Sequence, residues 1–271
     1  MWRLLSALLL LGGAVASGVL LLHGTAQAPA APDPRVPAAL RQAEAPSRSV
    51  ARPLVGRVIV LDAGHQLGNR SHVAQINAPV AAGGFEKECN TTGTATNDGY
   101  AEASFTFDVT RRAAAELRRL GARVVLTRQH NSEDLWGPCV DVRGRAGNDL
   151  GADLKVSIHA DGSWVGHGFH VIRPALLPGW TDDVYDESGE LARRLRDALV
   201  ASGHATSTYR GTRGVDERGD LATLNLSDVP VAMVEAGNMR DPDEAALMRT
   251  RHGRQGYADA VVAGVVAFLS D

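Results

Sequence analysis

The sequence lacks an excess of either charge. Its 28 Lys and Arg residues nearly balance its 31 Asp and Glu residues, which gives a formal net charge of −3 over 271 residues. The composition therefore has no electrostatic footprint for nucleic acid, and we expect no nucleic-acid partner. The chain also lacks an evident internal repeat. With 44% hydrophobic residues it can bury one sizeable core, and we expect a monomer.

One long apolar run stands at the N-terminus, over residues 4–22, after Arg3 and before small residues in an A-x-A arrangement. This pattern is typical of an export signal. The run is about long enough to span a bilayer, so an uncleaved membrane anchor is the alternative. Residues 29–54 are rich in Ala, Pro and Arg and predict a flexible linker. We therefore divide the chain into a signal peptide or N-terminal anchor (1–28), this linker, and a folded domain (55–271).

Cysteine is scarce, with Cys89 and Cys139 as the only two in the chain. Disulfides persist outside the cytoplasm, so for an exported chain we predict that these two residues are bridged. The alternative is a pair of unpaired buried thiols. Both cysteines lie in stretches rich in Gly, Asn, Thr and Pro, which have little apolar content of their own. A bridge would therefore hold a loop that packing alone holds poorly.

Beyond residue 55, short apolar segments alternate with amphipathic ones. This alternation predicts a single α/β domain with a mostly parallel central sheet and helices on both faces. The predicted strands are VIVL at 58–61, RVVLTR at 123–128, DLKVSIHADG at 153–162, GFHVIRP at 168–174 and VPVAMVEAG at 229–237. Long helices are predicted within 100–121 and 187–203, one or two closing helices within 241–270, and a short helix around 140–151.

Three of the predicted strands end in side chains suited to metal binding or proton transfer. VIVLDAGH ends in His65, LKVSIHADG contains His159 near its end, and VAMVEAGN delivers Glu235. Ligands of open α/β sheets bind outside the carboxyl ends of the strands, so we expect these residues at one site. Two imidazoles and a carboxylate match the ligand set of a catalytic zinc. No local motif such as H-E-x-x-H supports this, and histidines with purely structural roles are the alternative.

Four segments together carry a family resemblance. They are VIVLDAGH at 58–65, GYAEASFTFDVTRRAAAELRRLGARVVLTR at 99–128, VRGRAGNDLGADLKVSIHADG at 142–162 and RGDLATLNLSDVPVAMVEAGNMRDPDE at 218–244. In this order they resemble the zinc-dependent N-acetylmuramoyl-L-alanine amidases of the amidase_3 type, and the resemblance spans most of residues 57–268. The chain departs from the family pattern at Ala63, where a proline is usual, at Asp161 for Asn, and at Asn238 for an aromatic or apolar residue. These departures bear on substrate contacts more than on the metal.

The resemblance implies a zinc ion (Zn2+) bound by His65, Glu102 and His159, with Glu235 as the catalytic carboxylate. Glu102 enters only through the resemblance; its structural alternative is a carboxylate that complements a helix dipole. Glu86 and Glu88 are rival candidates in the preceding loop. The family position also places Arg218 and Asp220 near the site, with a surface salt bridge as the alternative.

The implied reaction is hydrolysis of the amide between N-acetylmuramic acid and L-alanine of peptidoglycan stem peptides, in the cell-wall space. Peptidoglycan or a muropeptide is therefore the expected partner. Another zinc peptidase or deacylase of the cell wall is one alternative, and a catalytically inactive wall-binding relative is the other. We assign the remaining histidines, His170 included, to surface, loop or sheet positions. The segment 174–186 is too short for an inhibitory helical insert, and we expect no control of that kind.

Overall fold

The computed structural model describes residues 52–270 of the chain. The predicted signal or anchor segment and all but the last three residues of the predicted linker lie outside this range. Leu54 ends the predicted linker, yet its side chain is buried in the core and its amide donates to the Leu120 carbonyl at 3.1 Å. Within residues 52–270, no helix has both the length and the apolar composition needed to cross a bilayer.

Strands and helices alternate along the chain. The strands are β1 (Val58–Ala63), β2 (Pro79–Ala81), β3 (Glu86–Glu88), β4 (Arg123–Leu126), β5 (Leu154–Asp161), β6 (His170–Pro174), β7 (Val215–Arg218) and β8 (Val231–Asn238). The α-helices are α1 (Val73–Ile76), α2 (Glu102–Arg119), α3 (Val140–Arg145), α4 (Tyr185–Ala201), α5 (Ala222–Asn225), α6 (Pro242–Arg249) and α7 (Arg251–Leu269). Short 3-10 helices cover Leu67–Ser71 and Asn148–Leu150.

Six strands form the central sheet in the order β4-β1-β5-β8-β6-β7. Strands β4, β1, β5 and β8 are parallel, whereas β6 runs antiparallel to β8 and β7 runs parallel to β6. This confirms the predicted α/β class with a mostly parallel sheet. All five predicted strands are present. The edge strand β7 and the small β2–β3 hairpin were not predicted from the sequence.

The apolar run of β1 is buried on both sides because helices and loops cover both faces of the sheet. Ile59 and Leu61 point into the main core, which is formed with the long helices α2, α4 and α7. Val60 points to the other face and packs with Ala152 and Val229. Adjacent side chains in a strand alternate between faces, so only a strand covered on both sides can be continuously apolar. The short helix α5 helps to cover this second face.

The structure contains the predicted disulfide between Cys89 and Cys139, which are 50 residues apart in the chain. Cys89 follows β3 and Cys139 precedes α3 directly. The Val140 amide also donates to the Cys89 carbonyl at 2.7 Å. The bridge therefore joins the hairpin region to the start of α3.

Candidate metal centre

The three central parallel strands bring the predicted site residues to one edge of the sheet. Strands β1, β5 and β8 are neighbours, and His159 on β5 is the direct register partner of Glu235 on β8. His65 lies just past β1, where the Gly64 amide still donates to the Ile158 carbonyl of β5 at 2.9 Å. The carboxyl ends of three strands thus place these side chains together, as the sequence predicts.

Glu102 completes a cluster with the two histidines. It is the first residue of α2, and its Oε1 lies 3.2 Å from His65 Nε2 and 3.0 Å from His159 Nδ1. One donor atom from each of the three residues lies within 4.8 Å of the other two. Two imidazole nitrogens and a carboxylate oxygen are the donor set of a catalytic zinc site, so these residues fit the predicted metal.

Backbone amides fix the Glu102 carboxylate. Thr94 N donates to Oε2 at 2.8 Å and Ala160 N donates to Oε1 at 3.2 Å. Burial by itself would raise the pKa of Glu102, but the neighbouring His65 and His159 lower it below its ordinary value. The carboxylate therefore stays ionised, which suits it to hold a cation.

Hydrogen bonding sets the orientation of the His65 ring. Its Nδ1 lies 3.1 Å from the Thr91 carbonyl oxygen, which can only accept a hydrogen bond. In the neutral ring the proton is therefore on Nδ1, which leaves Nε2, the nitrogen that faces Glu102, as the donor atom for a metal. Burial alone would lower the pKa of His65, but the Glu102 carboxylate raises it above its ordinary value.

Glycine is required at two positions around the cluster. A Cβ at Gly64 would lie 2.5–2.8 Å from atoms of the His159 ring. At Gly93, where φ is +74°, a Cβ would lie 2.9 Å from both the Glu102 carboxylate and the His65 ring. These approaches leave no room for a side chain, which explains the glycine of the D-A-G-H turn.

A buried arginine holds the turn that carries His65. The Arg143 guanidinium donates to Asp62 Oδ1 at 2.5 Å, to the Ala63 carbonyl at 2.6 Å and to the His65 carbonyl at 2.7 Å. His65 itself has φ of +56°, a left-handed conformation that is uncommon for a residue with a side chain. Sequence reasoning missed Arg143, although it is the first arginine of the VRGRAGN segment used for the resemblance.

Glu235 lies beside the cluster and not within it. It is partly buried and lines two cavities, of about 730 and 200 Å3, which both also reach His65 and His159. Burial, together with the neighbouring carboxylates of Glu102 and Asp161, raises the pKa of the Glu235 carboxyl from its ordinary value toward neutral pH. Such a group can exchange a proton near neutral pH, which is the property required of a general acid–base.

The other candidate residues lie outside the cluster of His65, Glu102 and His159, and only some of them line the two cavities. Arg218 and Asp220 pair with each other at 2.5–2.8 Å and line neither cavity. Asp161 lines the larger cavity, and Glu88 lines the smaller one. Neither Glu88 nor Glu86 belongs to the cluster of His65, Glu102 and His159. These two lie on β3, away from a helix start.

Comparison with known proteins identifies the family. Residues 59–267 match the Amidase_3 family model, described as N-acetylmuramoyl-L-alanine amidase. The chain belongs to this amidase family. The resemblance drawn from the four sequence segments is thereby confirmed, and the amidase can be placed among its relatives.

Mycobacterial proteins are among the similar sequences and structures. The amidase is 41% identical over 218 residues to N-acetylmuramoyl-L-alanine amidase Rv3717 of Mycobacterium tuberculosis, covering 80% of this chain and 88% of that protein. Its fold matches the crystal structure of the amidase Ami1 from Mycobacterium smegmatis with a TM-score of 0.75 and 42% identity, covering 80% of this chain and 98% of that one. The apo form of Ami1 from Mycobacterium abscessus matches with a TM-score of 0.74 and 41% identity, over 80% of this chain and all of that one.

Proposed function

We propose that this amidase binds zinc through His65, Glu102 and His159 and hydrolyses the amide between N-acetylmuramic acid and L-alanine of peptidoglycan stem peptides. The observation that carries the zinc assignment is the convergence of both imidazoles on one oxygen of Glu102, at 3.2 and 3.0 Å. A carboxylate held by two backbone amides at the start of a helix is a preorganised ligand. The presence of these three residues together with Glu235 argues against a catalytically inactive relative.

Glu235 is the proposed catalytic residue. When bound, zinc would supply Lewis acidity toward a water molecule and the scissile carbonyl. Glu235 accepts a proton from the attacking water and returns it to the nitrogen of the leaving L-alanine. Its position beside His159, in a cavity that reaches all three proposed ligands, suits it to this transfer.

The remaining residues of the site act on these groups indirectly. Thr91 fixes the proton of His65 on Nδ1, and Arg143 fixes the backbone that carries His65. We further propose that the protein acts in the cell-wall space after export, either released from its N-terminal segment or anchored by it.

Two measurements on the purified protein test the proposal. Metal analysis should find about one zinc per chain, and His65→Ala and His159→Ala should each lose it, because two remaining donors bind zinc poorly. Mass analysis of digested peptidoglycan should show intact glycan and stem peptides with a free L-alanine amino group. Full zinc content in both variants would refute the metal site, and cleavage within the peptide would assign a peptidase instead.

A further inference from the structure

The loop that follows β5 carries an unusually exposed tryptophan. Trp164 is 82% exposed, whereas Trp136 and Trp180 are 42% and 41% exposed. The adjacent Val165 is 69% exposed as well. A single exposed apolar side chain needs no explanation by itself. Trp164 differs from an incidental surface residue in the hydrogen bonds that hold its loop and in its contact with Arg240.

The loop is held from below by Asn238 on β8. This asparagine is 1% exposed, and its amide donates to the Ser163 carbonyl at 2.9 Å and to the Gly166 carbonyl at 2.7 Å. The Ser163 hydroxyl in turn donates to the Val165 carbonyl at 2.8 Å. Asn238 departs from the family pattern, and these bonds give it a role: it fixes both ends of the turn that presents Trp164.

A guanidinium group supports one face of the indole. The Arg240 guanidinium carbon lies 4.4 Å from the centre of the Trp164 ring, within the range of a cation–π contact. Arg240 also donates to Asn97 Oδ1 at 3.2 Å, and Asn97 donates back to the Arg240 carbonyl at the same distance. Arg240 thus links the indole to the loop that precedes α2.

The arginine that contacts this indole lines the cavity that contains the proposed catalytic residue. Arg240 lines the 730 Å3 cavity together with Glu235 and with Asp161 and Gly162, the residues just before the tryptophan turn. A substrate that extends from Glu235 along this cavity to Arg240 therefore ends beside the indole that Arg240 contacts. Trp164 itself lines neither cavity that reaches Glu235, nor do Trp136 and Trp180; what links Trp164 to the larger cavity is its contact with Arg240.

The chemistry of the expected substrate matches this surface. A sugar of a glycan strand presents an apolar C–H face and a rim of hydroxyl groups, and a flat indole can cover the first. The Arg240 guanidinium and the Asp161 carboxylate lie close enough to the cavity to meet the second. We propose that Trp164 and Arg240 form a glycan platform, where a pyranose ring of the strand stacks beside the N-acetylmuramoyl unit being cleaved. The inference rests on the proposed function.

A matched pair of variants and two substrates test the platform. The substrates are glycan strands that carry stem peptides and a single N-acetylmuramoyl peptide, which has no neighbouring sugar. The quantity to compare is kcat/KM for the strand divided by kcat/KM for the single-sugar peptide. Trp164→Ala should lower this ratio by about tenfold, which corresponds to roughly 1.4 kcal/mol of binding. Trp164→Phe should restore most of that ratio. The control Trp180→Ala should keep the wild-type ratio.

Binding without catalysis provides a second readout. Peptide-free glycan strands lack the amide that the amidase is proposed to cleave, so they can be titrated into the metal-loaded protein. They should change its tryptophan fluorescence in the wild type and in Trp180→Ala, but not in Trp164→Ala. An unchanged kcat/KM ratio in Trp164→Ala, or glycan binding that this variant retains, would overturn the platform and assign the indole to a different partner. A wild type that binds glycan but cleaves neither substrate would overturn the proposed function and leave the platform standing.

Discussion

At the scale of single residues, the roles of Glu235 and of the proposed ligands can be separated experimentally. Glu235→Gln preserves the size of the side chain but removes the proton acceptor. We expect turnover of muropeptides to fall by roughly 10²–10⁴-fold, the usual scale for general acid–base catalysis. Zinc content should stay near that of the wild type, because the three donor atoms of the cluster come from other residues.

A surface glutamate serves as the control for this substitution. Glu116 lies on α2 and pairs with Arg119 in the next turn, so Glu116→Gln should leave both zinc content and turnover unchanged. Zinc content, melting temperature and muropeptide release should be measured in parallel on both variants. Near-normal turnover of Glu235→Gln would exclude the acid–base role, and loss of zinc together with activity would make Glu235 a ligand.

His170 offers a prediction about pH at the same scale. The sequence places it within a strand, and the structure shows it 2% exposed, opposite Glu235 in the antiparallel β6–β8 pairing. Its Nδ1 has no hydrogen-bond partner. Burial lowers the pKa of His170 from 6.5 to about 4, although the carboxylates of Asp161 and Asp216 oppose the shift.

Between these two pKa values the unfolded chain binds the proton and the folded chain does not. The contribution of His170 to stability is therefore complete above about pH 6.5 and is lost as the pH falls toward 4. At its largest it should be on the order of 3 kcal/mol. His170→Gln should flatten the rise of unfolding free energy over this window, measured by urea denaturation. The exposed His252→Gln is the control, and an equal slope in both variants would contradict the assignment.

At the scale of elements, the disulfide holds a region with little apolar packing of its own. The strands of the β2–β3 hairpin have only three residues each, and Cys139 directly precedes the helix that carries Arg143. Closing the 50-residue separation between the cysteines should stabilise the fold by about 4 kcal/mol in the chain-entropy model. The double variant Cys89→Ala, Cys139→Ala should lose about that much unfolding free energy.

The bridge itself can be checked before its energy is measured. Alkylation of the exported protein without reductant, followed by mass analysis, should label neither cysteine, and labelling after reduction should modify both. Two labelled thiols without reductant would refute the bridge in the exported protein. Wild-type stability of the double variant would instead show that packing alone holds the hairpin to α3.

The elements that were predictable from the sequence share one property. Each strand that ends near the site is buried on both faces, which makes the runs VIVL of β1 and VAMV of β8 continuously apolar. In β5 the apolar run is interrupted by Lys155 and Ser157, which are themselves fully buried. Strand β7, with the sequence VDER, lies at the sheet edge and has no such run. Strand β7 joins the sheet by pairing with β6, and β6 in turn runs antiparallel to β8. Both pairings join segments that are far apart in the chain, so the local periodicity of the sequence does not predict them.

The same distinction applies to the site, where some residues follow from the local sequence pattern and others do not. His65, His159 and Glu235 are predictable because parallel strands deliver their ends to one edge. Glu102 starts a helix, and no local pattern distinguishes it from an acidic residue at any helix start, so only the family resemblance indicates it. The exposure of Trp164 depends on Asn238, 74 positions further along the chain by their residue numbers. No local pattern connects these two residues.

At the scale of the whole molecule, zinc should connect separate parts of the fold. The three proposed ligands follow β1, begin α2 and lie on β5, and the donor set exists only when these elements are assembled. An ion that binds the folded state alone stabilises it by about 4 kcal/mol when its free concentration is a thousand times Kd. For a domain of this size each kcal/mol raises Tm by roughly 2–4 °C. We therefore expect a chelator to lower Tm by about 8–16 °C, a range that follows from these two figures.

This last prediction is tested on three proteins. They are the wild type, Glu235→Gln, which removes the proposed proton acceptor, and His159→Ala, which removes a proposed zinc ligand. Calorimetry with and without chelator should show the full shift in the wild type and in Glu235→Gln, whose proposed ligands are intact. His159→Ala should melt at one temperature under both conditions, since it has lost a donor. Adding zinc back should restore the wild-type Tm, whereas magnesium, which prefers oxygen donors, should not. A chelator shift that persists in His159→Ala would place the stabilising metal elsewhere in the protein and refute the proposed centre.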